Sequence, residues 1–293
     1  MNKTNNSTKC IGIVGLGLIG GSLGLDLQAL GYKVHGLVNK VTTAEKAQKR
    51  GLAQVISTNT KILADCDLVI LALPLNQLIE PSQEIINALP KSAVVTDVGS
   101  VKAPILKVWN QLHQHFVASH PMAGNNNSGV EAGQMQLFKN CPWVVTPEKN
   151  TSPYDIEEVH KLAQALGCQW ITTEAQKHDE AVALISHLPV LISASLLRSM
   201  KSEIDPSIVA LAESLASSGF ADTTRVGGGN PTLGTAMLAH NTSAILKSLK
   251  TYSLSLKKFE EEMLSQDWMK ILKELEKTKN LRSHFLNDTS KHT

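Results

Sequence analysis

The run Gly15-Leu16-Gly17-Leu18-Ile19-Gly20 constrains this chain more than any other segment. It follows directly on a β-rich run, residues 10–16. It opens a stretch in which Ile19, Leu23, Leu27 and Leu30 share one helical face, with Gly31 as the stop. A glycine-rich turn alone is weak evidence. Between a strand and a helix it is the fingerprint of a dinucleotide-binding βαβ unit. Gly15 allows the tight turn, Gly17 lets the backbone approach a pyrophosphate, and Gly20 lets the helix close on the strand. The free N–H groups at the helix start, around Leu18 and Ile19, then bind phosphate.

Further β-rich runs recur at 33–38, 67–74, 93–98, 116–120, 142–146 and 170–173, with helical patterns between several of them. Ser152, Pro153 and Asp155 announce one such helix as N-cap, first position and first-turn acid. This alternation implies right-handed crossovers and a doubly wound, mainly parallel sheet covered on both faces. After Glu174 the strands stop. Helical patterns run from His178 to Lys279, with Asp205-Pro206 as a helix start and Gly219 and Gly227–Gly229 as breaks. The expected architecture is therefore α/β: a Rossmann-type domain over residues 1–175 and an all-α domain over 176–293, with the end from Asn280 onward frayed. The Lys- and Glu-rich helical pattern near that end reads as a solvated face.

A chain of 293 residues is long enough for two such cores. Lys and Arg total 28 against 26 Asp and Glu, with no long block of one sign, and aromatics are only 4%. That composition argues against nucleic-acid binding and base-stacking platforms. Cys10, Cys66, Cys141 and Cys168 are scattered without a CxxC pair, so neither a zinc site nor a disulfide framework is expected. Reduced thiols, a polar start without a signal core, and apolar stretches cut by Gly, Asp or Lys predict a cytoplasmic protein with no membrane span.

The second strand should end at the adenine ribose, where NAD-specific sites usually place a carboxylate. Here the tip reads Val38-Asn39-Lys40, followed by Thr42 and Thr43, and the first acid is Glu45. No carboxylate repels a 2′-phosphate, and Lys40 adds a favourable charge, so the reading leans to NADP with NAD as the alternative. Lys40 as a plain solvated cation competes with that reading. Leu73-Pro74, at the end of another strand, should lie along the cofactor.

Ligands of open α/β sheets bind beyond the carboxyl ends of the strands. One end carries Ser119-His120-Pro121-Met122-Ala123-Gly124-Asn125, another Asp97-Val98-Gly99-Ser100-Val101-Lys102. His120 is the candidate general base, since an imidazole accepts protons near neutrality. Taken alone, a histidine at such a place is more often structural. Ser100 offers a hydroxyl to the same substrate oxygen, or is the N-cap of the helix near Lys102. Asp97 and Lys102 read as an ion pair that shapes the loop. In the helical half, His187 stands inside the apolar Ser186-His187-Leu188-Pro189 segment. Arg225, before a glycine-rich break, is a carboxylate clamp or a solvated loop cation.

The segments GLGLIG, TDVGSVK, SHPMAG, ISHLP and ASSGFADTTRVGGGNP resemble, in order and spacing, the prephenate/arogenate dehydrogenases of tyrosine biosynthesis. The resemblance covers residues 11 to 279 and is nearest to the short cyanobacterial arogenate type. It implies oxidative decarboxylation of a cyclohexadienyl acid, with hydride passing to NAD(P)+ and no metal. By resemblance His120 accepts the hydroxyl proton, and Ser100 bonds that hydroxyl. Arg225 holds a substrate carboxylate, His187 lines the substrate pocket beside Gly124 and Asn125, and the helical half forms a homodimer. Three departures touch the side-chain pocket. Asn125-Asn126-Asn127 follows Gly124 where many members carry Thr, Val190 stands for a second histidine, and a downstream tryptophan is replaced around Gly234. These departures and the acid-free strand tip favour arogenate over prephenate, and NADP. Two other readings compete: a β-hydroxyacid dehydrogenase, which would want a lysine in the helical half, and a non-catalytic NADP sensor, which would not need His120, Ser100 and Arg225 together.

Overall fold

The structure, a computed structural model, describes residues 8–125, 127–202 and 205–287, with Leu286 and Asn287 by backbone alone. Among the described residues nine strands fall into two sheets. Strands β1 (Cys10–Val14), β2 (Lys33–Leu37), β3 (Val55–Ser57), β4 (Leu68–Leu71), β5 (Val94–Asp97) and β6 (Phe116–Val117) form a parallel sheet of order β3-β2-β1-β4-β5-β6. Helices α1 (Leu18–Ala29), α2 (Val41–Lys49), α3 (Leu75–Ile79), α4 (Gln83–Ala88) and α5 (Ala103–Leu112) connect its strands. Two buried apolar clusters flank the sheet, one including Ile11, Ile13, Leu23 and Ile70, the other Val69, Leu71, Val95 and Trp109. Alternate residues along β1 and β4 thus serve opposite faces. That is why these strands read as continuous apolar runs rather than alternating ones.

The run at 116–120, expected as one strand, is two. β6 ends at Val117, and β7 (Ser119–Pro121) enters a second sheet of order β7-β8-β9 with β8 (Pro142–Val145) and β9 (Gln169–Thr172). β7 pairs antiparallel with β8, and β8 runs parallel to β9. Pro121 lacks an N–H, so it suits the edge position that β7 occupies. β3 has no counterpart among the expected strands: it is three residues long and only half-buried. α6 (Pro153–Ala165) begins where expected, although the Ser152 side chain makes no capping bond. Leu30, expected on the buried face of α1, is its exposed C-cap, and Gly31 behind it takes the left-handed φ of +87° that ends the helix.

The rest is helical: α7 (Ala175–Val182), α8 (Leu188–Met200), α9 (Pro206–Leu215), α10 (Ser218–Thr224), α11 (Pro231–His240), α12 (Thr242–Leu264) and α13 (Trp268–Asn287). A wide π-turn, Ala183–His187, joins α7 and α8 into one helical run, Ala175–Met200. This run is long and apolar enough by composition to cross a membrane, which the sequence reading did not anticipate. Between Glu180 and Arg198 no Gly, Asp or Lys interrupts it. Two other expectations are corrected. Gly219 lies inside α10, and the break falls before it at Ala216–Ser217. Residues 280–287 continue α13 rather than fraying, while 288–293 lie outside the described residues. Asp205 does cap α9, accepting from the Ser207 N–H at 2.8 Å. By packing, the chain divides into residues Met1–Asn241 and Thr242–Thr293, so α7–α11 belong to the same compact unit as the sheet, past the boundary at 175.

Candidate active site

The glycine turn is built as a cradle. Gly15 has φ +94°, and a Cβ there would stand 2.4 Å from Ala72 O. A Cβ on Gly20 would stand 1.8 Å from Gly15 O, so only glycine lets α1 approach this close. A Cβ on Gly17 would meet nothing within 4 Å. That open side faces the start of α1, whose N-cap is Gly17 with no side-chain cap. The N–H groups of Leu18, Ile19 and Gly20 therefore begin a helix without a side-chain acceptor, as an anion site requires. Leu73 lies 3.5 Å from the Gly15 Cβ position, and Pro74 caps α3. Exposed Asn39 and Lys40 follow β2. Lys40 is the N-cap of α2, and Thr43 N–H donates to Lys40 O at 3.1 Å. The residues present fit a dinucleotide phosphate chain.

Beyond β5, Asp97 and Lys102 form the expected ion pair, and both side chains are fully buried. Asp97 also accepts from Gly99 N–H at 2.7 Å and Ser119 N–H at 3.1 Å, while Lys102 Nζ donates to Ser119 O at 2.6 Å. Burial pushes the Asp97 carboxyl up and the Lys102 ammonium down, and each charge opposes the other's shift. The pair thereby ties the loop carrying Ser100 to the residue before His120. Ser100 is not the cap of α5, since Lys102 holds that position. The Ser100 hydroxyl is buried and has no hydrogen-bond partner among the described residues, so it can serve a ligand oxygen.

His120 is half-buried, and its Nδ1 is 2.9 Å from His178 Nε2. His178 Nδ1 is 2.7 Å from Asp179 Oδ1. Asp179 also accepts from the first backbone N–H groups of α5, Lys102 at 2.7 Å and Ala103 at 2.9 Å. That aims a helix N-terminus at its carboxylate. A carboxylate only accepts, so His178 Nδ1 carries a hydrogen, and in a neutral His178 ring Nε2 accepts from His120 Nδ1–H. Every proton in the chain is then placed, and His120 Nε2 is left with a lone pair. Burial first, then repulsion from the protonated forms of His178, Lys102 and His187, hold the His120 pKa well below the ordinary imidazole value. Its neutral form is thus favoured at neutral pH.

His178 and Asp179 escaped the sequence reading. The available signal was an adjacent His-Asp pair at the start of the apolar helical run that holds His187. His187, at the end of the π-turn, is buried, and burial lowers its pKa to about 4. Its Nδ1 is 3.2 Å from Asn241 Nδ2, and its Nε2 is buried without a partner. Val190 and Gly234, two of the sequence's departures, face each other: a Cβ on Gly234 would stand 3.9 Å from Val190 Cγ1. Gly124 and Asn125 are exposed in the loop after β7, where Asn125 Nδ2 donates to Gln134 Oε1 at 3.3 Å. Asn126 lies outside the described residues. Arg225 is exposed at the start of a 3-10 turn, Arg225–Gly228, and no hydrogen bond or ion pair joins its guanidinium to His120 or Ser100 among the described residues. The turn is seated on α8 by Gly227, whose N–H donates to Ser193 Oγ at 2.7 Å.

A second titratable cluster lies in the sheet, toward the amino ends of β1 and β4. Cys10, His35 and Cys66 are all buried, with ligand atoms within 4.8 Å of one another. The spacing in sequence hid this grouping. Burial pushes both thiols up, and His35 Nδ1 stands 2.7 Å from Ile62 O.

Two family models match the chain in succession: the nucleotide-binding domain of prephenate dehydrogenase over residues 23–172 and the dimerization domain of prephenate dehydrogenase over 174–277. The cyclohexadienyl dehydrogenase of Zymomonas mobilis is 30% identical over 94% of this chain and 95% of its own. The crystal structure of Synechocystis arogenate dehydrogenase shares 37% identity, covers 94% of this chain and 100% of its own, and superposes with a TM-score of 0.80. A prephenate dehydrogenase from Aquifex aeolicus, solved in complex with hydroxyphenyl propionate and NAD+, is 25% identical with a TM-score of 0.89, covering 96% of this chain and 100% of its own. The matches span both halves, the one with the glycine cradle and the helical one: the chain belongs to the prephenate/arogenate dehydrogenase family.

Proposed function

We propose that the protein converts arogenate to tyrosine by oxidative decarboxylation with NADP+. The observation that carries this reading is the proton chain His120–His178–Asp179, which leaves His120 Nε2 to act as a neutral base, together with the unpartnered Ser100 hydroxyl on the loop that the Asp97–Lys102 pair ties to Ser119. In the proposed reaction Ser100 orients the substrate hydroxyl and His120 Nε2 accepts its proton. The positive charge arising on His120 is shared through His178 with the Asp179 carboxylate. When bound, the oxidised nicotinamide supplies the acceptor for hydride from the hydroxyl-bearing carbon. Loss of the ring carboxylate as CO2 then leaves an aromatic ring, which makes the step effectively irreversible. Arg225 holds a substrate carboxylate, and His187, Gly124 and Asn125 line the substrate side.

The preference for arogenate is supported by the similarity to the Synechocystis enzyme and by the small residues Val190 and Gly234 facing each other. The preference for NADP is supported by Lys40 at the start of α2 and the absence of an acid before Glu45. Functionally the boundary at 175 separates the cofactor half from the helical half, and the latter pairs two copies. Exposed Leu211 and Leu215 on α9 and Leu272 and Leu275 on α13 are apolar surface that a second copy would cover. The proposed location is the cytoplasm, where reduced thiols persist.

Nicotinamide absorbance, followed with arogenate and prephenate against NADP+ and NAD+, tests the reading. The highest kcat/KM is expected for arogenate with NADP+. Preference for prephenate or NAD+ would overturn the corresponding half, and turnover of neither acid would overturn both.

A further inference from the structure

We propose that Asn241 is a positioning residue: it sets the tautomer of His187, so that His187 presents Nε2–H to an acceptor oxygen of the bound cyclohexadienyl acid. The substrate part of this inference rests on the function proposed above, whereas the tautomer part does not.

Asn241 ends α11 and is buried. Its Nδ2 is 2.7 Å from the backbone oxygen of Asp179 and 3.2 Å from His187 Nδ1. The amide orientation follows from the first contact. A carbonyl oxygen only accepts, so the NH2 and not the amide oxygen must face it. One amide hydrogen goes to Asp179 O and the other to His187 Nδ1. A ring nitrogen that accepts has no hydrogen of its own, and burial keeps the ring neutral with a single N–H. That hydrogen therefore sits on Nε2. Among the described residues no atom receives it, although it is buried. A buried donor without an acceptor costs free energy until something fills the place. Asn241 joins His187 to Asp179, which reaches His120 through His178, so the missing acceptor belongs on the side of the reacting group. The same Asn241 bond holds the backbone of Asp179, the carboxylate that ends the proton chain from His120. One amide thus aligns a substrate donor and supports the base. The π-turn at Ala183–His187 is the local irregularity that sets His187 on this alignment.

The test is imidazole ¹⁵N NMR on the full chain labelled at histidine, with His187→Gln used only to assign the His187 signals. The wild type is expected to show His187 as the Nε2–H tautomer. Asn241→Asp places an acceptor at Nδ1 and should convert it to Nδ1–H. A wild-type Nδ1–H tautomer, or an unchanged tautomer in Asn241→Asp, overturns the proposal. This readout needs no substrate and survives failure of the functional reading. In kinetics, Asn241→Asp is expected to lower kcat/KM on the order of ten- to a hundredfold, with cofactor Kd unchanged. A loss of cofactor binding or of melting temperature equal to that of Asn241→Ala, without a tautomer change, would mark Asn241 as merely structural and overturn the assignment. If Asn241→Asp fails to fold, the wild-type spectrum alone decides. If neither acid is turned over by the wild type, the functional reading fails while the tautomer result stands or falls by itself.

Discussion

Two clusters of titratable side chains, one inside the parallel sheet and one where β7 meets α7, are unlike in what their protons can do. In the sheet interior, toward the amino ends of β1 and β4, Cys10, His35 and Cys66 crowd together with their thiols pushed up by burial. Burial there favours the neutral thiols, and His35 Nδ1 faces a backbone oxygen, Ile62 O, rather than a carboxylate. Beyond the carboxyl ends, His120, His178 and Asp179 form a directed chain that ends on the N-terminus of α5. A charge arising on His120 has somewhere to go. Proximity of reactive residues is therefore a poor guide to chemistry, and the direction of the hydrogen bonds is a better one.

The contrast breaks most visibly at His120. Replacing it by Asn should lower kcat by roughly 10²–10⁴-fold, the contribution of a positioned base, with cofactor affinity intact by fluorescence titration. Near-normal turnover would mean that the chain of imidazoles is structural. The same base predicts the pH profile. Its pKa lies below the ordinary value, so it is unprotonated through neutrality. Activity should be lost only as pH falls below about 6.5, through that depressed pKa. A limb above neutrality would contradict the assignment.

Asp179→Asn sharpens the comparison by removing the sink and keeping the shape. A drop in kcat of about a hundredfold, the low end for a positioned base, is expected. A melting shift with kcat unchanged would reduce Asp179 to a cap on α5. A smaller effect is expected at the cofactor end. Asn39→Asp should raise KM for NADP+ about tenfold, through repulsion of a 2′-phosphate that one kilocalorie or so per mole accounts for, and leave NAD+ nearly untouched. The smallest belongs to the inert cluster. Cys66→Ala should cost about 1 kcal/mol of stability in denaturant titration and leave kcat unaltered. A catalytic defect there would show that the two clusters are coupled.

What was legible in the sequence was local. The glycine cradle, the strands that carry it and His120 at a strand end all follow from periodicity and spacing over a few residues. The division of residues 116–120 into β6 and β7 did not show. Only the competing edges of β5 and β8 decide where each half pairs. Ser100 illustrates the same limit. Its sequence context fits an N-cap, but Asp179, from far along the chain, takes the first N–H groups of α5 and releases the hydroxyl. His178 meets His120 across 58 positions of chain, and Asn241 meets His187 across 54.

By itself, then, the amino-acid order determined that the chain would wind strands and helices into a dinucleotide fold with a helical second half, because turn chemistry and apolar period act between near neighbours. Only the tertiary structure decided which imidazoles are chained to a carboxylate, which is bridged by an amide and which thiols are buried together. Those properties depend on what a buried nitrogen, oxygen or sulfur finds opposite it, and that partner is chosen by packing rather than by distance along the chain.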